Sequence, residues 1–178
     1  MAVKNIPKLD QAALWDYALR VLGRRAHSAG EIQQKLARRA DKPADIPMVM
    51  AKLRDYGFAD DQKFSEAFSA SRLHNDGFGK MRVLRDLRTK RVPQKVAEEA
   101  IEKTFAGTSE QQLIDQFLAR KYRSRNLHEF LQEDKNMNSA YRKLRLAGFS
   151  SEATLTALKK HSKRSADWEE PLEDSDPN

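Results

Sequence analysis

Two short stretches carry residue types that could do chemistry. Gly77-Phe78-Gly79-Lys80 has the glycines and the lysine of a phosphate-binding loop, where backbone N–H groups and an ammonium surround an anion. The spacing rejects that reading. A dinucleotide fingerprint needs a third glycine where Arg82 stands, and a strand ahead of it. A Walker loop needs Ser or Thr at Met81, and its first glycine would fall at His74. The stretch is read instead as a flexible interhelix turn. Asp60-Asp61 could form a pair of catalytic carboxylates, but no histidine, lysine or metal-ligand set accompanies it. The pair reads as a helix N-cap followed by a first-turn acid that complements the helix dipole. His27, His74, His128 and His161 are scattered and form no HExxH or i,i+4 pair, and there is no cysteine. No serine sits in a nucleophile elbow. The sequence therefore predicts no catalytic residue, no metal site, no cofactor and no enzyme.

What remains is cationic. Between Lys80 and Lys95 stand seven basic residues, Lys80, Arg82, Arg85, Arg88, Lys90, Arg91 and Lys95, against the single acid Asp86. At about 100° per residue, the helix around them is expected to bury Met81, Val83, Leu84 and Leu87 and to turn Arg82, Arg85 and Thr89 outward, with Arg88 at the flank. Part of the pattern recurs 57 positions on: Leu87, Arg88 and Val92 return as Leu144, Arg145 and Phe149, and Arg85 returns as Arg142. A looser copy precedes it, in which Leu36 matches Leu87. Such recurrence predicts a helical repeat array whose stacked faces could align into one basic stripe.

The elements that must position this face follow from helix punctuation. Leu14, Tyr17, Ala18, Val21 and Leu22 predict a helix over about 10–25, with Trp15 beside its apolar stripe. Ser28 to Glu31 reads as a capping box, Asp45 as a further cap, and Gly57 as a C′ residue. Phe64 and Phe68 are expected in the core. Ser109 opens the next helix, the polar link over 123–136 is left unassigned, Gly148 ends the following helix and Ser150 caps the last. The expected fold is all-α: an elongated, curved array of three three-helix repeats over 10–58, 59–104 and 105–161. A mobile start over 1–9 and a disordered acidic tail over 162–178 flank it. Net charge is +7, but six acids and no base lie from Ser165 on, leaving 33 basic against 20 acidic residues before it, a balance of +13. That surplus points to a polyanionic partner or an acidic protein surface. No apolar run approaches the ~20 residues that span a bilayer, and the first residues lack a signal peptide's apolar core, so a cytoplasmic protein without membrane association is expected.

An ordered set of short motifs over about 10–161 resembles the RecX family, regulators of the bacterial recombinase RecA. It runs through Ala18-Leu19, Ser28, Glu31-Ile32, Lys35-Leu36, Leu53, Gly57-Phe58, Asp60-Asp61, Phe64, Arg72, Gly77, Gly79, Arg82, Leu84, Leu87-Arg88, Lys90 and Val92. Arg91 stands where the family tends to have glycine, and the third unit is the most divergent. The resemblance implies a non-catalytic modulator that lies in the groove of the RecA filament on single-stranded DNA, with double-stranded DNA as a weaker partner; a monomer is expected, because the array needs no partner subunit to cover its core. It implies depressed RecA ATPase, strand exchange and filament growth, in DNA repair by homologous recombination and in the SOS response. The implied RecA- and DNA-binding face is Arg72, Lys80, Arg82, Arg85, Arg88, Lys90, Arg91, Arg142 and Arg145. The rival reading is a DNA-binding helical module that acts without RecA.

Overall fold

The structure, a computed structural model, describes residues 7–162. The expected acidic tail beyond Ser162, and all but the last three residues of the expected mobile start, lie outside the described residues. Ten α-helices and no strand are present among them. The helices are α1 (Gln11–Leu22), α2 (Ala29–Arg39), α3 (Asp45–Asp55), α4 (Asp61–Ser71), α5 (Lys80–Thr89), α6 (Gln94–Phe105), α7 (Glu110–Lys121), α8 (Leu127–Phe130), α9 (Asp134–Leu146) and α10 (Ser151–Ser162). A π-helical turn, Arg72–Asp76, extends α4. Two compact units result. One comprises residues up to Ala70 together with Leu84–Thr104, the other Ser71–Val83 together with residues from Phe105 on.

In the first unit the apolar stripes of three helices meet. Leu14 and Ala18 of α1, Ile32 and Leu36 of α2, and Val49, Met50 and Leu53 of α3 form one buried cluster. The α2 capping box is complete: Ser28 accepts from the Glu31 N–H, and the Glu31 carboxylate accepts from the Ser28 N–H. Asp45 is different. It is the first residue of α3, behind Ala44, and makes no cap, so its charge acts only on the helix dipole. The start expected to be mobile is tied at its inner end, because Leu9 donates to the Arg39 carbonyl at 2.8 Å and accepts from Asp41 at 2.9 Å. Asp60 caps α4 through the Lys63 N–H at 3.0 Å. Asp61 instead accepts from the Ala29 N–H at 2.8 Å, so one acid opens α4 and also satisfies the start of α2. Phe64 and Phe68 stack at 5.8 Å but are only half-buried; the fully buried residues of α4 are Ser65 and Ser69.

The second unit packs α7, α9 and α10 around Ile114, Leu118, Met137, Tyr141, Leu144, Phe149, Ala157 and Leu158. The polar link that the sequence left unassigned holds the single turn α8 and drives Leu131 completely into this core. Ser109 and Ser150 cap as expected, and the Glu110 carboxylate also accepts from the Ser150 N–H at 2.7 Å and hydroxyl at 2.8 Å. Between α7 and α10, the Asp115 carboxylate accepts from Lys160 at 2.9 Å and meets the His161 ring at 2.7 Å. Burial alone would raise the Asp115 pKa, but these hydrogen bonds and charges outweigh it and hold it below 3.8. A depressed carboxylate pKa stabilises the fold above its unfolded value, and that contribution disappears as pH falls through the folded one. Asp115→Asn should therefore lower Tm near pH 7, where that contribution is fully present, and converge with the parent in acid, so that its Tm-against-pH profile is flatter below about pH 4.

The same corner occurs in both units. After α5, Arg91 takes φ 62° and donates to the Arg88 carbonyl at 2.8 Å, while Val92 donates to the Leu87 carbonyl at 3.2 Å. After α9, Gly148 takes φ 91° with the matching bonds, to Arg145 at 3.0 Å and from Phe149 to Leu144 at 3.2 Å. This is a Schellman closure, and the 57-residue offset predicted from sequence maps one copy onto the other. Each corner meets the start of a helix. Residues 90–91 receive Ser28 and Gly30 of α2, and residues 147–148 receive Gly79, Met81 and Arg82 of α5. A Cβ on Gly30 would lie 2.5 Å from that of Arg91, so here the helix start supplies the glycine that the corner lacks. Arg91→Gly should relieve the left-handed backbone at little packing loss. We expect a gain of about 0.5–1 kcal/mol, read as a Tm higher by roughly 2–4 °C.

Candidate nucleic-acid and protein interface

The predicted basic face divides, in the structure, into cations that hold the fold and cations that face water. Helix α5 sets the pattern: Val83 and Leu87 are completely buried, while Arg85 and Arg88 are exposed. Met81, expected in the core, is 56% exposed. The reason is angular. At about 100° per residue Met81 stands ~160° from Val83 and only ~20° from Arg88, so it belongs to the outer face. Arg82 is half-buried rather than fully outward. Its guanidinium lies 5.3 Å from the Phe78 ring centre and donates to the Leu146 carbonyl at 3.4 Å.

Three other members of the predicted face are likewise engaged. Arg72 pairs with Asp76 at 2.8 Å and approaches the other end of the same Phe78 contact at 5.9 Å. Lys90 is paired with Glu31 at 3.2 Å, and Arg25 holds the same carboxylate at 3.2 Å. Burial alone would raise the Glu31 pKa, but the hydrogen bonds from Arg25 and Lys90 outweigh it and leave it lowered. Arg145 turns inward and donates to the Phe149 carbonyl at 2.7 Å, closing the corner after α9. These four side chains shape the surface. They are poorly placed to leave their contacts for a ligand, since a truncated partner leaves buried polar atoms unsatisfied.

Lys80, Arg85, Arg88, Arg91 and Arg142 are exposed and have no ion pair among the described residues. Arg85, Arg88 and Arg91 lie in the first unit. Lys80 and Arg142 lie in the second, where Arg142 lines a shallow cavity of ≈ 460 Å³ with Lys135 and Lys143. Such cations attract phosphates or carboxylates at little desolvation cost. The Gly77-Phe78-Gly79 turn, expected to be flexible, is anchored within the second unit: Gly79 donates to Ala147 at 2.8 Å and Arg120 donates to the Asn75 carbonyl at 3.2 Å.

Sequence reasoning missed an aromatic cluster in the first unit. Tyr56 is 63% and Phe58 46% exposed, their rings lie within 7° of parallel, and Trp15 sits 5.6 Å from Tyr56. Lys52 holds its ammonium 4.2 Å from the Trp15 ring centre. The available signal was Gly57 itself: a left-handed residue between two aromatics at a helix end turns both rings outward together. No group of three or more His, Cys, Asp or Glu that could hold a metal occurs among the described residues, and none of their helices is long and apolar enough to cross a membrane.

Residues 15–53 match the first three-helix domain of RecX, and residues 60–101 match its second. The chain is 39% identical over 90 residues to the Regulatory protein RecX of Halorhodospira halophila, covering 51% of this chain and 55% of that protein. It is 39% identical over 93 residues to that of Chromohalobacter salexigens, covering 52% and 60%. The similarity to the Syntrophotalea carbinolica protein is 23% over 137 residues, or 77% and 88%. The matches thus span little more than half the length of the first two relatives. Among solved structures, RecX from Lactobacillus salivarius superposes with a TM-score of 0.64 at 16% identity, over 86% of this chain and 97% of that one. Another regulatory protein RecX gives 0.63 at 20%, over 83% and 70%. At such identity the likeness shows the fold: a tandem array of three-helix repeats.

Proposed function

Because this chain belongs to the RecX family, we propose that it is a non-catalytic regulator that engages a RecA filament on single-stranded DNA and lowers its ATPase, growth and strand exchange. In this reading it acts as a cytoplasmic monomer built from three three-helix repeats over 10–58, 59–104 and 105–161. One observation carries the proposal. On α5 the face opposite the buried Val83 and Leu87 presents Arg85 and Arg88 to solvent with no ion pair among the described residues. Long cations held on a rigid helix suit acidic subunit surfaces and DNA phosphates alike. Lys80, Arg91 and Arg142 extend the assignment, and Arg72, Arg82, Lys90 and Arg145 are its supports. The test is the DNA-dependent ATPase of RecA, titrated with the full chain at physiological salt. Inhibition well below one molecule per RecA supports the proposal; no inhibition at any ratio rejects it.

A second reading, a DNA-binding module that acts without RecA, is favoured by the exposed Tyr56 and Phe58 rings beside the half-buried Trp15. Bases stack on such rings with little regard to sequence. In the same titration it requires ATPase to fall only at concentrations that coat the DNA.

A further inference from the structure

Away from α5, the first unit holds a cavity of ≈ 470 Å³ between the C-terminal half of α1 and α2. Its charged lining is entirely cationic: Arg20, Arg24 and Arg25 from α1 and the turn after it, and Lys35 and Arg39 from α2. His27 completes the wall. Glu31 has its carboxylate occupied by Arg25 and Lys90 and does not line the space. Arg25 is offset by Glu31, but the other four positive charges around the concavity repel each other, and nothing in the wall offsets them.

A second, independent feature points at the missing partner. Arg39 Nε is buried and has no hydrogen-bond acceptor among the described residues. Its guanidinium is held 5.1 Å from the Tyr17 ring centre, which fixes the fork without supplying an acceptor. Buried donors are rarely left without one, so Arg39 is a cation of this wall whose hydrogen bonding the described residues do not complete. His27 Nδ1 meets the Arg25 carbonyl at 2.9 Å and so must donate to it, leaving Nε2 as the ring's unprotonated nitrogen. Burial first, then the Arg25 and Lys35 charges, push the His27 pKa down.

We propose that this cavity binds phosphate groups: those of a free nucleoside polyphosphate or those of a nucleic-acid strand. A single carboxylate would offset one of the four remaining charges, whereas a polyphosphate offsets several and offers the paired oxygens that arginine forks select. The volume suits a small ligand rather than a lone ion. The inference stands apart from the α5 face and does not depend on RecA.

The test uses the full chain and three probes: inorganic pyrophosphate, ATP without magnesium, and a short oligothymidylate with and without a 5′ phosphate. Pyrophosphate and ATP should raise the Tm saturably by several degrees, and sodium chloride at equal ionic strength should not. Arg20→Glu/Arg24→Glu changes two exposed side chains and should retain the helical circular dichroism. It should weaken the response at least tenfold, and Arg39→Met should do the same without charge reversal. The His27 ring protons should shift toward the protonated form on binding, because an added anion raises its pKa. A response to the oligonucleotide alone, lost in Arg20→Glu/Arg24→Glu, identifies the strand as the source. No saturable response to any probe, or an equal loss in Arg85→Glu/Arg88→Glu, overturns the proposal.

Discussion

Gly148→Ala should be among the most damaging single-methyl additions in the chain. Gly148 holds φ 91°, and a Cβ placed there would lie 2.2 Å from the Arg82 backbone nitrogen and 2.5 Å from its Cβ. Two costs therefore add. The left-handed backbone costs an alanine about 1 kcal/mol, and displacing a helix start costs roughly 1–3 kcal/mol as overpacking does elsewhere. The obstacle is backbone rather than the end of a flexible side chain, so it cannot move alone: Met81 donates to the Gly148 carbonyl and Gly79 to that of Ala147. A loss of about 2–4 kcal/mol is expected, read in urea as a lower midpoint with an unchanged m-value. Gly57→Ala is the control. It shares the positive φ, 70°, but a Cβ there meets nothing within 4 Å, so only the backbone term of about 1 kcal/mol should remain. Equal losses in the two variants would mean that the close approach at Gly148 carries no energy.

That contrast also shows what a sequence can and cannot disclose. Features closed within one helical turn were legible: the Ser28 to Glu31 capping box, the Asp60, Ser109 and Ser150 caps, and the corners at Gly57 and Gly148. Each depends on residues three to five apart, whose geometry the helix dictates. The 57-residue recurrence was legible because both corners use the same hydrogen bonds. Contacts between distant segments were not. Nothing near Asp61 says that it serves Ala29, 32 residues away, nor near Gly30 that Arg91 needs its empty side. Met81 failed for a different reason. An apolar residue was assigned inward by type although its angle places it beside Arg88, and the exposed methionine follows the angle.

The basic face was legible as composition and illegible as use. Periodicity separates Arg85 and Arg88 from Val83 and Leu87, but it cannot say which arginines already have partners. Arg145 illustrates the gap. It repeats Arg88 in sequence, yet Arg88 faces water while Arg145 reaches the carbonyl of Phe149. The difference follows from where a backbone acceptor stands, not from the residue itself. Arg145→Met is therefore a stability variant and Arg88→Glu a binding variant, and the two should not be pooled.

Arg85→Glu/Arg88→Glu should have the largest effect on function. Both side chains are exposed and have no ion pair among the described residues, so removing them breaks no contact shown in the structure. Stability should stay within about 0.5 kcal/mol of the parent. Binding should not. If each arginine neutralises one phosphate of single-stranded DNA, the pair contributes about 1.4 to the slope of log K against log salt, and reversal removes it. If they face acidic RecA side chains instead, the reversal sets like charges against each other, and the concentration needed to inhibit ATPase should rise at least tenfold. The two measurements separate the partners. A flattened salt slope on naked DNA with inhibition unchanged assigns the arginines to DNA alone. Lost inhibition with an unchanged slope assigns them to RecA. If neither moves, α5 is not the interface, and the exposed rings of Tyr56 and Phe58, with the half-buried Trp15 beside them, become the surface to mutate next.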